Sequence, residues 1–243
     1  MRVAIVENTG VSHHGQVGVA LHERAALIDQ YKPWLDGILP KPGSFDALIV
    51  LGGEQTAVDD DLHPYLPRLA AMMAETAARD LAVLGICLGS QIMARGLGAE
   101  NRLGTAPEFG WCAVAKRPEA AADPVMATLP QSFHSFQWHS DTFTAPPCSV
   151  HLAGSQVAAQ QCYRYGRAGY GMQFHFEASH AVVRDWRAKF APAIEQMAPG
   201  WLRAFDGHAH AHSATADALG LQIARAWVNL IRPAGAESGS LSI

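Results

Sequence analysis

The sequence has little charge and no long hydrophobic run, and both absences narrow the class of protein. Charged side chains make up only 16% of the 243 residues, apolar side chains make up 49%, and the mean hydropathy is +0.03. This balance is typical of a compact domain with a sizeable core and excludes global disorder. No apolar stretch is long enough to predict a membrane span.

An excess of positive charge is also missing. The chain carries 18 basic and 22 acidic side chains, a formal net charge of −4 and an isoelectric point near 6.3. Proteins that bind nucleic acid or anionic membranes usually present a basic surface. We therefore expect neither a nucleic acid nor a membrane among the partners.

Paired cysteines are absent as well. The four cysteines, Cys87, Cys112, Cys148 and Cys162, show no C-x-x-C spacing. That pattern favours a reducing compartment over a secreted disulfide scaffold. The first apolar run is interrupted at Glu7, too early for the core of a signal peptide. We therefore expect a cytoplasmic protein.

Short apolar runs alternate with helical patterns in the first half, which indicates an α/β fold. Residues 3–6 and 47–51 are predicted as buried strands, with a helix over residues 18–31 between them, so the two strands should pair in parallel. An amphipathic helix over residues 66–77 and a third buried strand over residues 81–86 follow.

The pattern changes in the second half. Short strands separated by turn residues predict mixed or antiparallel sheet from Trp111 to about Glu177. One helix should begin near Ser179 and continue through Ile194, and another should be ended by Pro233. We expect one domain over residues 1–200, with residues 201–243 as a helical extension packed on it.

A glycine-flanked cysteine carries the first chemical signal. Residues 85–89 (GICLG) have the G-x-nucleophile-x-G form of a nucleophile elbow, between a buried strand and a helix predicted over residues 91–97 and closed by Gly98. Small neighbours leave room for a substrate, and a helix N-terminus stabilises a thiolate. On this motif alone, an inert buried cysteine remains the alternative.

A histidine and a glutamate two residues apart give the second signal. They end a strand predicted over residues 171–176, where the period of two places His175 and Glu177 on the same side. Cys–His catalysis needs an imidazole that protonates the leaving amine and a carboxylate that orients the ring. The pattern thus supplies both partners for a nucleophilic cysteine.

Together these motifs resemble those of the class I, triad-type glutamine amidotransferases, and within them the freestanding GMP synthase-like group. The similar segments, in the family's order, are residues 51–56 (LGGEQT), 85–94 (GICLGSQIMA), 138–141 (WHSD) and 173–177 (QFHFE). The resemblance implies a flavodoxin-like α/β fold: a mostly parallel central sheet flanked by helices, with a small antiparallel extension.

The resemblance also implies the roles of individual residues. Cys87 would be the nucleophile, His175 the general acid and base, and Glu177 the carboxylate that orients it. The N–H groups of Gly53 and Leu88 would stabilise the oxyanion. No metal and no cofactor are implied.

The other residues that the resemblance places at the oxyanion hole and the substrate site are Gly52, Gln91, His139, Ser140 and Asp141. Gln91 lies one helical turn after the nucleophile and would face the bound glutamyl group. Ser140 and Asp141 would hold its glutamate head through backbone groups, with His139 supporting that loop.

Two positions depart from the family pattern. Glu54 stands where many members have proline after the glycine pair, and Phe176 stands where many have proline between the histidine and the glutamate. Neither change removes a catalytic atom. They put in doubt only the shape of the oxyanion loop and the rigidity before Glu177.

The sequence contains no ATP-binding glycine-rich loop and thus no acceptor chemistry. We expect cysteine-dependent hydrolysis of glutamine or of a small γ-glutamyl compound by the chain alone, through a thioester on Cys87. One alternative is a glutaminase subunit that supplies ammonia to a separate synthase. The other is a catalytically idle regulatory or binding protein of the same fold.

Two polar runs have no place in this scheme. The imidazoles of His208, His210 and His212 would share one side of an extended segment and could bind Zn²⁺ or Ni²⁺, but we expect a solvated loop before the last helix. The acidic run at residues 59–61 predicts a solvated helix entry capped by Asp61, with attraction of an amine-bearing substrate as the alternative.

Overall fold

The computed structural model describes residues 1–233. Within them the strands are β1 (Arg2–Val6), β2 (Leu27–Tyr31), β3 (Ala47–Val50), β4 (Ala82–Ile86), β5 (Asn101–Arg102), β6 (Glu108–Lys116), β7 (Ser132–His139), β8 (Thr142–Phe143), β9 (Ser149–Gly154), β10 (Cys162–Tyr165) and β11 (Gly169–Met172). The helices are α1 (Gly15–Glu23), α2 (Pro33–Asp36), α3 (Leu66–Ala78), α4 (Leu88–Gly96), α5 (His180–Lys189), α6 (Ala191–Met197) and α7 (Trp201–Val228).

Nine of these strands form one sheet in the order β2-β1-β3-β4-β11-β10-β9-β6-β7. The strands from β2 to β11 in this order are parallel, and those from β10 to β7 continue the sheet in antiparallel pairs. A separate antiparallel pair joins β5 to β8. The predicted fold, a parallel centre flanked by helices with an antiparallel extension, is confirmed.

The inner parallel strands β1, β3, β4 and β11 are buried because helices cover both faces of the sheet. In β1, Val3 and Ile5 face a core cluster that includes Trp227 of α7, whereas Ala4 and Val6 face a second cluster that includes Leu69 of α3. This double burial explains why the strand sequences are continuous apolar runs without alternation. The helix predicted over residues 66–77 is confirmed as α3.

The helix predicted over residues 18–31 is wrong in its second half. α1 ends at Glu23, Ala25 turns the chain with a φ of +49°, and residues 27–31 become strand β2 beside β1. The pairing satisfies backbone groups at the sheet edge; for example, the N–H of Glu7 donates to the carbonyl of Tyr31 at 2.9 Å. Tertiary pairing here overrides a local sequence pattern that is compatible with a helix.

The helix predicted from Ser179 through Ile194 is two helices. The first, α5, begins near Ser179, as expected; Ser179 is its N-cap, and its side chain accepts a hydrogen bond from the N–H of Val182. The chain then breaks at Phe190, and α6 begins with Pro192 in its first turn, where the missing N–H costs no hydrogen bond. The last helix also ends earlier than expected, at Val228 rather than next to Pro233.

The histidine-rich segment is a helix and not a loop. His208 and His212 lie one turn apart in α7, and His210 is exposed. The ring of His212 stacks on that of His134 in β7 with 4.3 Å between centroids. Three imidazoles therefore do not share one side, and residues 1–233 contain no group of three or more metal-binding side chains suited to a metal ion.

The acidic run at residues 59–61 does not cap a helix, since Tyr65 is the N-cap of α3. Asp60 instead forms a bidentate ion pair with Arg95 of α4, with both contacts at 2.6 Å. None of the three carboxylates lines the cavity described below. No helix within the described range is long and apolar enough to cross a bilayer.

Helix α7 packs along the rest of the chain over its whole length. Its first half contributes Trp201 and Phe205 to an aromatic core, and its second half contributes Trp227 to the core beneath the sheet. At Gly220 the helix approaches the loop after β11 so closely that a Cβ atom would lie 2.1 Å from the carbonyl oxygen of Phe176. A side chain at position 220 would push α7 away from that loop.

We predict that substitution by alanine has opposite effects on stability at the two interior glycines of α7. Gly220→Ala should lower the free energy of unfolding by more than about 1 kcal/mol, because the new methyl group meets backbone. Gly207→Ala, where the added Cβ meets open space, should raise it by about 0.5–1 kcal/mol. Urea unfolding measures both. Equal effects would contradict the close packing of α7.

Candidate active site

A cavity of about 420 Å³ opens at the carboxyl ends of the parallel strands. This edge is where open α/β sheets bind ligands. The cavity brings together all of the site residues predicted from the sequence. They are Gly52, Gly53, Cys87, Leu88, Gln91, His139, Ser140, Asp141, His175 and Glu177.

Cys87 occupies a strained turn between β4 and α4. Its φ of +52° and ψ of −112° are unusual for a residue with a side chain. The two glycines of the motif permit this turn: a Cβ at Gly85 would lie 2.4 Å from the carbonyl oxygen of Gly89, and one at Gly89 would lie 2.0 Å from that of Val50. The N–H of Cys87 donates to the carbonyl of Met172 at 2.8 Å, which fixes the turn to β11.

His175 lies beyond the end of a strand rather than within it. β11 ends at Met172, and the N–H of His175 donates to the carbonyl of Phe136 in β7 at 2.8 Å. The Nδ1 atom of His175 donates to Oε1 of Glu177 at 2.7 Å. The two side chains meet as expected, but a turn brings them together, not the period of a strand.

The side chains of Cys87 and His175 lie next to each other beside Gly52. A Cβ at Gly52 would lie 3.1 Å from Cε1 of His175 and 3.9 Å from Sγ of Cys87. Any side chain at position 52 would therefore crowd both groups. The sulfur also lies 3.6 Å from the carbonyl oxygen of Trp138.

The surroundings of His175 favour the charged form of its imidazole. Burial by itself lowers the pKa of the imidazole, but the negative charges of Glu177 and Cys87, together with their hydrogen bonds, outweigh burial and raise it to about 10. The ring of Trp186 lies edge-on to the imidazole, with 5.2 Å between centroids. The arrangement can thus hold a thiolate and an imidazolium side by side.

Two residues predicted to donate backbone N–H groups, Gly53 and Leu88, line the cavity together with Cys87. Leu88 is the first residue of α4, so its N–H has no acceptor within the helix. Gly53 lies next to Leu88: a Cβ atom at position 53 would be 3.0 Å from Cδ2 of Leu88 and 2.7 Å from Cβ of Asn8. The Asn8 side chain donates to the carbonyl of Leu51 at 2.8 Å and so holds the loop after β3 in place.

The opposite rim is built around the carbonyl of Asp141. Nε2 of Gln91 donates to it at 3.3 Å and also to Oε1 of Gln173 at 3.1 Å. Nδ1 of His139 lies 3.0 Å from the same carbonyl. Ser140 is exposed and Gln91 is buried, so the rim is a shelf supported from below.

Sequence reasoning missed the apolar residues of one wall of the cavity. The loop after β1 contributes Val11 and His13, and the side facing it is formed by Trp138 with Trp186 and Phe190. The aromatic residues of α5 carried only a helical core signal in the sequence. Asn8 could have been found as a polar residue that directly follows a buried strand.

Comparisons with known proteins agree with this geometry. The sequence profile of the family described as "Glutamine amidotransferase class-I" matches residues 29–185. The glutamine amidotransferase-like protein YfeJ of Salmonella typhimurium is 30% identical over 61% of this chain. The glutamine-hydrolyzing GMP synthase subunit of Sulfolobus acidocaldarius is 28% identical over 56% of this chain.

The matched segments cover 63% of YfeJ and 69% of the Sulfolobus protein. Among solved structures, a glutamine amidotransferase from Methylobacillus flagellatus superposes with a TM-score of 0.81 at 25% identity. That superposition covers 97% of each chain. The likeness thus extends over the whole fold and not only over the site.

We predict that the strain at Cys87 makes glycine more stabilising than alanine at this position, the reverse of their usual order. Cys87→Gly should be more stable than Cys87→Ala by about 1 kcal/mol or more, because glycine adopts positive φ freely. The same two substitutions at Cys112, in the middle of β6, should show alanine as the more stable. Urea unfolding of the four variants tests this, and the same order at both positions would contradict it.

We also predict that the His175 imidazole keeps its proton from pH 6 to pH 8. Glu177→Gln and Cys87→Ala should each lower its pKa, because each removes a negative charge next to the ring. Since the pKa of the folded state is raised, this group stabilises the fold at low pH and loses that contribution as pH rises towards 10. Imidazole ¹⁵N chemical shifts follow the proton. Titration of the wild-type ring near pH 6.5 would refute the charged pair.

Proposed function

The chain belongs to the class-I glutamine amidotransferase family, and we propose that it hydrolyses the γ-amide of glutamine or of a small γ-glutamyl compound through a γ-glutamyl thioester on Cys87. The observation that carries the proposal is the strained turn at Cys87, whose side chain lies beside an imidazole that donates to Glu177 at 2.7 Å. These are the parts that Cys–His acyl transfer requires.

In the first half of the reaction, the Cys87 thiolate attacks the γ-carbonyl carbon. A C–S bond forms, and negative charge moves to the carbonyl oxygen. When the C–N bond breaks, the proton on His175 passes to the departing nitrogen, so the nitrogen leaves as ammonia or as a neutral amine. The products of this half are the γ-glutamyl thioester and a neutral imidazole.

The oxyanion forms next to the N–H groups of Gly53 and Leu88. Their positions on two separate elements, the loop after β3 and the start of α4, supply two donors in fixed directions. One such donor typically lowers the barrier by about 2.7–4 kcal/mol. Asn8 supports this geometry, because its amide holds the carbonyl of Leu51 immediately before the glycine pair.

In the second half, water resolves the thioester. His175 takes a proton from the water as its oxygen attacks the thioester carbon, and the C–S bond breaks to release glutamate. The imidazolium and the thiolate are thereby restored. Glu177 is not consumed; it holds the ring through Nδ1, so that Nε2 exchanges the proton.

The rest of the glutamyl group would lie along the shelf made by Gln91, Ser140 and Asp141. Ser140 is exposed and Asp141 is half-buried at the mouth of the cavity, and Gln91 supports their loop from below. We propose that these residues bind the α-amino and α-carboxylate groups.

A second candidate is a glutaminase subunit that passes ammonia to a separate synthase. It is favoured by the similarity to the GMP synthase subunit of Sulfolobus acidocaldarius. An exposed apolar group, Trp34, Leu35 and Ile38, follows β2, and the Trp34 ring lies near Gly10 in the loop that borders the cavity. Such a partner would increase turnover of glutamine without changing the residues that carry it out.

We predict that Cys87→Ala abolishes glutamate release from L-glutamine and γ-glutamyl amides, a loss of at least about 10⁴-fold. Glu177→Gln should lower kcat by about 10²- to 10⁴-fold, because the ring loses its orienting acceptor. Cys148→Ala, at an exposed cysteine outside the cavity, is the matched control and should retain full activity. Purified protein and an assay for glutamate suffice.

The same assay separates the alternatives. Unchanged release by Cys87→Ala would refute the proposed mechanism. A different result is that the wild type releases no glutamate from any substrate while an electrophilic glutamine analogue still labels Cys87. That result would favour the subunit that requires a synthase. An unlabelled Cys87 in a folded protein would favour the idle protein.

A further inference from the structure

The reaction requires the two ends of the substrate to occupy different parts of the cavity. The γ-carbonyl oxygen must point towards Gly53 and Leu88, whereas the departing nitrogen must lie within reach of the imidazole that protonates it. Whatever group is attached to that nitrogen therefore extends past His175, away from the glutamyl shelf. The residues that line the cavity beyond His175 are the ones that such a group would contact.

Those residues form an apolar wall made by α5, α6 and the end of β7. We call this the aromatic wall: Trp138, Trp186 and Phe190, continued by Ala193 and Met197. Trp138 packs edge-on to both of the other rings, with 5.8 Å to Trp186 and 5.5 Å to Phe190 between centroids. Val11 faces the same space from the loop after β1.

The aromatic wall is held rigidly in place. Trp186 belongs to the aromatic core that also contains Trp201 and Phe205 of α7, and Trp138 and Phe190 pack against that core. The break between α5 and α6 at Phe190 turns the chain so that Met197 reaches the same cavity. A preformed apolar surface of this kind binds an apolar group without the cost of ordering it.

The charged groups close to the aromatic wall neutralise one another. His13 lines the cavity, but its Nε2 lies 2.7 Å from Oδ2 of Asp185, and the ammonium of Lys189 lies 2.9 Å from the same oxygen. These contacts pair the ammonium with the carboxylate and engage the imidazole on the same oxygen. The cavity-lining carboxylate Glu54 follows Gly53 and thus belongs to the oxyanion side.

We infer that the preferred substrate is a γ-glutamyl amide whose leaving group is a primary amine with an uncharged alkyl or aryl body, seated against the aromatic wall. The inference rests on the proposed function, because it uses the same nucleophile and the same proton donor. Cys87 forms the thioester, the C–N bond breaks, and the amine takes the proton of His175 and leaves. Water then releases glutamate.

A matched substrate series tests the leaving group. Glutamate release is measured for L-glutamine and for the γ-glutamyl amides of n-butylamine, benzylamine, 4-aminobutyrate and 1,4-diaminobutane. We expect kcat/KM for the benzylamide to exceed that for L-glutamine by at least about tenfold, since burial of an aromatic group contributes that much or more. The kcat/KM for the n-butylamide should also exceed the values for the amides of 4-aminobutyrate and 1,4-diaminobutane, which are of similar length but end in a charge.

Variants locate the effect at the aromatic wall. Phe190→Ala should lower the ratio of kcat/KM for the benzylamide to that for L-glutamine by about tenfold, with Phe190→Leu between it and the wild type. Val157→Ala, at an exposed side chain outside the cavity, is the control and should leave the ratio within about twofold of the wild-type value. The wild-type series by itself remains decisive if a wall variant fails to fold.

The outcomes distinguish this inference from the function on which it rests. Cys87-dependent release with equal kcat/KM across the series, or with preference for a charged leaving group, overturns the aromatic wall as a leaving-group site and leaves the proposed hydrolysis intact. A ratio unchanged in Phe190→Ala also overturns it. Absence of Cys87-dependent release from all five substrates overturns both.

Discussion

The backbone turn at Cys87 is the constraint on which the rest of the site depends. Cys87 is held at a φ of +52° by the close packing around it. At Gly85 and Gly89, β4, α4 and β3 approach one another so closely that neither position has room for a Cβ atom. In the proposed reaction this strain has a use, because it presents Cys87 to the cavity at the start of α4. Packing of a buried parallel sheet thus supplies the energy that holds a reactive group in position.

The loop after β11 is the second element that the sheet cannot place by itself. It contains His175 and Glu177, and its position is set from three directions. β7 binds the backbone of His175, α7 approaches at Gly220, and the N–H of Gln16 donates to the carbonyl of Glu177 at 3.0 Å. A buried imidazolium is stable here only because two anions surround it, so small displacements of this loop would change the charge of the site.

Much of this fold was predictable because its signals are local. The buried strands, helix α3 and the Ser179 cap follow from hydrophobic periodicity and capping chemistry. Strand β2 was not predictable, because a partly exposed edge strand has weak alternation and depends on β1 for its hydrogen bonds. The break at Phe190 and the helical histidine segment were missed for a similar reason: proline fits the first turn of a new helix, and packing of α7 determines its start.

The sequence by itself determined the kind of chemistry. The glycine-flanked cysteine, the His-x-Glu pair and the glycine pair after β3 are short motifs whose residue types and order are readable without a fold. Only the tertiary structure decided what surrounds them: the contact between Cys87 and His175, the raised pKa of the imidazole, and the aromatic wall behind it. Those properties arise from side chains that are far apart in the sequence. Packing of the whole fold sets the distances between these side chains and the extent of their burial, and no local sequence pattern encodes either.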